Sequence, residues 1–241
     1  MKFARLLAAK NDDILNAPPV TAAFLGDSVT HGCFECYRDE DGNIQTIFER
    51  EQSYAAKFAH IAGMLYPRAQ LNIVNAGVSG GTAMQAAARL ERDVLQFRPD
   101  LLVVNFALND CGAGDRGLEE YIASMKKIFR QGKEAGAEVV YLTPNPMCGY
   151  VSAHLNSDFL REIAKDLASR TADGVLDRYV AAATAAAKEE RVPVCDCYSV
   201  WKNMRKNGVD ITVLLANYLN HPTRDMQWLA ALKLAEMLFG E

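Results

Sequence analysis

Hydrophobic residues along the chain concentrate in five short runs, and Gly, Pro, Asn or Asp follows close behind each run. The runs are rich in β-branched and large apolar side chains, a composition typical of buried strands. They predict five strands, over residues 20–25, 71–74, 101–106, 139–142 and 192–195.

Between these runs, apolar positions recur at the spacing of an amphipathic helix. Strands that alternate with helices and are apolar on both faces indicate a parallel sheet covered on both sides. The pattern therefore predicts an α/β protein, a three-layer α/β/α sandwich with a five-stranded parallel sheet. The predicted helices cover residues 53–65, 82–97, 118–135, 157–190 and 223–239.

Residues 33–50 do not follow this alternation, because a charged stretch with an Asp41-Gly42 step separates two short apolar runs. An Asp-Gly step between such runs is a hairpin signal. A solvated loop and a hairpin insertion beside the exit of the first strand are both compatible with it. The chain contains no linker or internal repeat, so we expect residues 1–241 to form one domain with a hairpin insertion at 33–50.

Composition excludes several classes of protein. The formal charge of the 241-residue chain is -4, and no basic stripe is present to bind nucleic acid. Charges interrupt the apolar residues at the N-terminus, and no run approaches the roughly 20 apolar residues of a membrane span. We expect a cytoplasmic protein that binds neither nucleic acid nor membrane and keeps its 6 cysteines as thiols.

Residues with catalytic chemistry follow the predicted strands. Ser28, Gly80 and Asn109 come after the first three strands, and His221 precedes the last helix. In an open parallel sheet these positions share the edge at which ligands bind. A serine nucleophile, an imidazole base and donors for a developing oxyanion are the parts of an acyl-transfer site. The Gly80 and Ser28 amides and the Asn109 carboxamide are the expected oxyanion donors.

Four blocks in this order resemble the SGNH hydrolases, also called GDSL esterases/lipases. The blocks span nearly the whole chain. The resemblance implies a flavodoxin-like fold, Ser28 as catalytic serine, His221 as catalytic histidine, Gly80 and Asn109 as oxyanion donors, and chemistry without a metal or cofactor. The blocks are Gly26-Asp27-Ser28, with Asp27 in a supporting place, residues 75–80, Asn109-Asp110 and His221-Pro222.

Two positions depart from the pattern of that family. Ala107 replaces a glycine, a small change that we expect to leave the Asn109 block usable. Tyr218 stands where the family usually has the triad aspartate. Loss of such an acid by amidation costs a serine protease about 10⁴ in rate, because the imidazole is no longer held in the correct tautomer. A Ser-His dyad helped by a backbone carbonyl is one alternative, and Asp225 and Asp210 are weaker ones.

Rival assignments remain open at this point. Residues 77–81 match Gly-x-Ser-x-Gly, the nucleophile elbow of α/β-hydrolases, which makes Ser79 a competing nucleophile. That fold normally has several strands before its elbow, and only one is predicted here. His31 is either a local base or a polar residue at the start of the first helix. Cys33-x-x-Cys36 and Cys195-x-Cys197 would suggest a zinc site only if the fold brought the two segments close together.

The predicted function is hydrolysis of a carboxylic ester, with a small-molecule substrate such as a short O-acyl group, especially acetyl, on carbohydrate. A non-catalytic carbohydrate-binding module on the same fold, an esterase using Ser79 and an acyltransferase are the alternatives. The sequence leaves the oligomeric state open. Cys33, Cys36 and Cys111 follow catalytic blocks closely, so we expect thiols to border the active-site edge as packing residues.

Overall fold

A computed structural model describes residues 1–240 and contains the predicted five-stranded parallel sheet. The strands are β1 (Val20–Gly26), β2 (Cys33–Arg38), β3 (Ile44–Phe48), β4 (Leu71–Gly77), β5 (Leu101–Asn105), β6 (Glu138–Leu142) and β7 (Val194–Cys195). The order in the sheet is β4–β1–β5–β6–β7, and β2 and β3 form a separate antiparallel hairpin. Gly26 at the end of β1 pairs with both Gly77 and Asn105, so three strands end side by side.

Helices cover both faces of the sheet, as the alternating pattern predicts. The first, third and ninth pack together on one side, and the fourth, fifth and seventh pack on the other. No helix within residues 1–240 is long and apolar enough to cross a membrane. The helices are α1 (Lys2–Asp12), α2 (Ser28–His31), α3 (Tyr54–Leu65), α4 (Ala83–Asp93), α5 (Leu118–Glu134), α6 (Asp158–Ala172), α7 (Val175–Glu189), α8 (Tyr198–Lys206) and α9 (Gln227–Phe239).

The core lies where the continuous apolar runs place it. Every residue of β5 is buried, and β1 and β6 have one half-buried residue each. Strand β4, at the edge, buries only its last two residues. A central strand is covered by helices on both faces, whereas an edge strand is less covered, which accounts for this gradient.

The structure corrects the helix pattern at three places. The helix predicted over 82–97 ends at Asp93, before a separate 3₁₀ turn over Leu95–Phe97. The helix predicted over 157–190 is two helices, α6 and α7, because Gly174 adopts a left-handed conformation with φ of +65° between them. The last helix begins at Gln227 rather than at residue 223. Helices α1 and α8 were not predicted.

The segment that interrupts the alternation is a hairpin. The amide of Gly42 donates to the carbonyl of Asp39 across its turn. Cys33 pairs with Phe48 and Cys36 pairs with Thr46, so two residues of β2 face one residue of β3. This two-against-one arrangement is a β-bulge. It falls within the part of β2 that lies closest to the end of α2.

Candidate active site

The turn after β1 presents Ser28 on a tightly packed backbone. The buried Asp27 carboxylate accepts the Val29 amide at 2.9 Å and caps α2 at its start. A Cβ on Gly26 would lie 2.0 Å from Oγ1 of Thr30, so only glycine fits there. This packing fixes Ser28 just beyond the end of β1, which lies between β4 and β5.

Ser28 and His221 form a hydrogen-bonded pair although they are far apart in the sequence. Nε2 of His221 lies 3.0 Å from Oγ of Ser28, and Nδ1 lies 2.8 Å from the main-chain oxygen of Phe34. A carbonyl oxygen only accepts, so Nδ1 carries the ring proton and Nε2 accepts from the serine hydroxyl. Burial lowers the pKa of His221, which favours this neutral form. The pair therefore has the protonation state that a general base requires.

No carboxylate within residues 1–240 hydrogen-bonds to the His221 ring; the Phe34 oxygen occupies that place. Tyr218 has a left-handed φ of +55° and stacks on His154 at 5.2 Å between ring centroids. Asp210 accepts the hydroxyl of Tyr150 instead. Of the alternatives for a missing triad acid, the backbone carbonyl is the one with matching geometry.

The turn that carries His221 depends on two asparagines which the sequence analysis missed. Oδ1 of the buried Asn217 accepts the amides of Leu219, Asn220 and His221 at 2.9–3.0 Å. Nδ2 of Asn145 donates to the Asn220 carbonyl at 2.8 Å. Asparagine often bonds to its own backbone two residues on, so Asn217 was visible as a turn former. The Phe34 oxygen is a main-chain atom, for which the residue type carries no signal.

Gly80 and Asn109 lie in the loops beside the serine turn. Gly80 has a φ of +75°, and its amide donates no hydrogen bond to another residue of the 1–240 segment. Nδ2 of Asn109 uses one hydrogen on the Gly81 carbonyl at 2.9 Å, which leaves its second hydrogen available. Ala107 has a φ of +154°, in the region that favours glycine, and is fully buried.

Two buried acids, Asp27 and Asp110, stand beneath these loops, and we call them the buried carboxyl pair. Each uses one oxygen to cap a helix start, since Asp110 accepts the Ala83 amide at 2.8 Å as Asp27 accepts that of Val29. The other oxygen of each has no hydrogen-bond partner within residues 1–240. Burial raises the pKa of Asp27 to about 7 and that of Asp110 to about 6, and the charge of Asp110 adds to the shift of Asp27.

The rival nucleophile and base have other contacts. The amide of Ser79 donates to Nδ1 of His31 at 3.3 Å, and no hydrogen bond in residues 1–240 joins the Ser79 hydroxyl to a histidine. His31 ends α2 and packs on Phe48, with 4.8 Å between ring centroids. Burial is the main cause that lowers the pKa of His31. Ser79 is also exposed, and its hydroxyl lacks the histidine partner that the Ser28 hydroxyl has.

All 6 cysteines are free thiols. Burial raises the pKa of Cys33 and Cys111 to about 11, which suits packing residues. The half-buried Cys36 lies 3.7 Å from Nδ2 of Asn217, the residue that shapes the His221 turn. Among residues 1–240, no three His, Cys, Asp or Glu side chains are grouped as metal ligands would be.

Comparison with known proteins shows that the chain is similar to esterases. The model of the GDSL-like lipase/acylhydrolase family matches residues 24–229. An acetylxylan esterase of Geobacillus stearothermophilus is 25% identical over 130 residues, which cover 50% of this chain and 58% of that protein. The chain thus spans little more than half the length of this relative.

Solved structures share the fold at low identity. The crystal structure of an acetylxylan esterase from Geobacillus stearothermophilus has a TM-score of 0.65 at 20% identity, over 92% of this chain and 95% of that one. A two-domain esterase active on acetylated mannans has a TM-score of 0.66 at 18% identity, over 98% of this chain and 52% of that one. Catalytic mutants of the acetylxylan esterase replace a serine, an aspartate and a histidine, and that aspartate stands three positions before the histidine.

Proposed function

Because the chain belongs to the GDSL-like lipase/acylhydrolase family, we propose that it hydrolyses short carboxylic esters through an acyl intermediate on Ser28. The observation that carries this proposal is the contact of 3.0 Å between Oγ of Ser28 and Nε2 of His221, with Nδ1 held by the Phe34 carbonyl. The nucleophile is thus hydrogen-bonded to its base, and the base is hydrogen-bonded to a group that orients it.

In the proposed mechanism, Oγ of Ser28 attacks the ester carbonyl carbon while its proton passes to Nε2 of His221. The amides of Ser28 and Gly80 and the free hydrogen of Asn109 stabilise the tetrahedral oxyanion. The imidazolium returns its proton to the departing alcohol, which leaves an acyl-serine. Water then attacks the acyl carbon with His221 again as base, and collapse of the intermediate releases the carboxylic acid and restores the serine.

The proposed substrate is an acetyl ester on a carbohydrate. Relatives that act on acetylated xylan and acetylated mannans support this choice.

The test is hydrolysis of acetyl, butyryl and octanoyl esters of p-nitrophenol and of an acetylated xylo-oligosaccharide. We expect Ser28→Ala to lower kcat by at least about 10³-fold. Ser79→Ala, the matched control, should keep wild-type activity. The acid limb of kcat/KM should lie below the ordinary histidine pKa, because burial lowers the pKa of His221.

The results separate the alternatives. Turnover that survives Ser28→Ala and disappears in Ser79→Ala would transfer the nucleophile to the second loop. Ligand binding without any hydrolysis by the wild type would indicate a binding module. Acyl transfer to an added alcohol in preference to water would indicate an acyltransferase.

A further inference from the structure

We propose that Glu35, Arg224 and Glu49 position the catalytic histidine and, together with the Phe34 carbonyl, replace the triad aspartate that this chain lacks. We call these three residues the clamp. The proposal rests on the proposed function, since it concerns how His221 is held during ester hydrolysis. The family blocks of the sequence analysis do not include these residues.

The first step of the argument is the bulge in β2. Cys33 and Cys36 are paired with β3, whereas Phe34 and Glu35 together face a single residue, Ile47. A bulge disrupts the regular ladder and re-aims the backbone locally. The Phe34 oxygen points out of the hairpin to His221, and the next side chain, Glu35, reaches Arg224.

The second step is that the bulge needs an external support. A two-stranded hairpin outside a larger sheet is marginally stable by itself. Arg224 bonds to both oxygens of Glu35 at 2.6 and 3.0 Å and to both oxygens of Glu49 at 2.6 and 2.8 Å. Its guanidinium carbon also lies 4.5 Å from the centre of the Phe34 ring. One guanidinium thus ties β2 to the residue that directly follows β3.

The third step is the position of Arg224 in the chain. Arg224 stands three residues after His221. The imidazole bonds to the Phe34 oxygen, and the adjacent Glu35 bonds to Arg224, so the two contacts and the two short chain segments close a ring. A shift of the hairpin would have to break bidentate, charge-assisted bonds, which are among the strong ones in proteins. The clamp therefore fixes the distance between the imidazole and its orienting carbonyl.

The fourth step is charge. A carbonyl oxygen orients the ring but has no formal charge to stabilise an imidazolium. Two glutamates and one arginine leave the clamp with a net charge of about -1, and the charge of Glu35 acts to raise the pKa of His221 against the effect of burial. The clamp therefore stabilises the imidazolium of the transition state, as a triad acid does.

The experiment separates charge from geometry with two variants. Glu35→Gln keeps the size of the side chain and removes one negative charge, so kcat should fall roughly tenfold with little change in KM. The acid limb of the pH profile should move to lower pH. Arg224→Lys keeps the charge but loses the planar fork, so kcat should fall while the acid limb stays in place.

Arg178→Gln is the matched control, because it breaks a pair with Asp115 on the surface; its kcat and pH profile should equal those of the wild type. The His221 ring is also titrated by NMR, with its signal assigned from His221→Gln. This readout does not need turnover, so failure of the clamp and failure of the proposed function are distinguishable. An unchanged kcat and an unchanged ring titration in folded Glu35→Gln would overturn the proposal. A fall in kcat without any movement of the limb or the ring titration in that variant would also overturn it, since it would indicate a purely structural role.

Discussion

Two groups of acidic residues, the buried carboxyl pair and the clamp, are associated with the Ser28–His221 pair, and they are built in opposite ways. The buried carboxyl pair beneath the serine is enclosed, and each acid has one oxygen without a partner in residues 1–240. The clamp beside the histidine is partly exposed, and all four of its carboxylate oxygens bond to Arg224.

This difference separates a structural use of acids from an electrostatic one. Burial raises the pKa of Asp27 to about 7, so near neutrality it is a helix cap that is protonated much of the time. Arg224 instead lowers the pKa of Glu35 and Glu49, so both stay charged. Asp27, next to the nucleophile in sequence, therefore carries little negative charge below about pH 7, whereas Glu35 and Glu49 keep theirs at every pH above their own lowered pKa.

The largest expected effect is on the pH dependence of stability in Asp27→Asn. The folded pKa of Asp27 lies above its unfolded value, so wild-type stability falls as pH rises from about 4 to 7. Asparagine does not ionise. Between pH 4 and pH 8 the variant should gain roughly 2–4 kcal/mol of unfolding free energy relative to the wild type, measured by urea unfolding.

Asp110→Asn is the comparison variant within the same pair. Its relative gain should be smaller and complete at lower pH, because the pKa of Asp110 rises only to about 6. A stability difference from the wild type that is flat with pH in both variants would refute the protonation of the buried carboxyl pair.

A smaller effect of opposite sign is expected in the clamp. Arg224 holds the folded pKa of Glu35 below its unfolded value, so the contribution is present above that unfolded pKa and is lost as pH falls through the folded pKa. The Glu35 side chain is 40% exposed, which limits its value through solvent screening. Glu35→Gln should cost about 0.5–1 kcal/mol at pH 7 and progressively less as pH falls through the folded pKa of Glu35, by the same unfolding measurement.

The smallest effect is the response to salt. In 1 M NaCl the Debye length shrinks to about 3 Å, so the stability cost of Glu35→Gln should fall by a few tenths of a kcal/mol. The pH-dependent gain of Asp27→Asn should not change, because that carboxyl is enclosed. Equal salt responses in the two variants would remove the contrast between the two acidic groups.

Sequence reasoning predicted those parts of the fold and site that are set by local patterns. Continuous apolar runs located the strands. The exit of the first strand was the place predicted for the serine, and the segment before the last helix was the place predicted for the histidine. Sequence reasoning named a backbone carbonyl as one alternative to the triad acid, but it did not identify which residue supplies that carbonyl. The Phe34 oxygen is that atom, and its hydrogen bond to His221 spans 187 positions. The break at Gly174 was also missed, because apolar residues recur at helical spacing on both sides of it and the two helices were predicted as one. The roles assigned to Ser28, His221, Gly80 and Asn109 stay predictions.

The long reach of the central hydrogen bond has a kinetic consequence. Ser28 and His221 are separated by 193 positions, while the sheet that carries the serine forms from strands much closer together in the chain. Contacts of such separation need costly loop closure and tend to form after local ones. The two ends of the site thus meet only when most of the chain has already folded, so a functional centre is evidence that folding has run to completion.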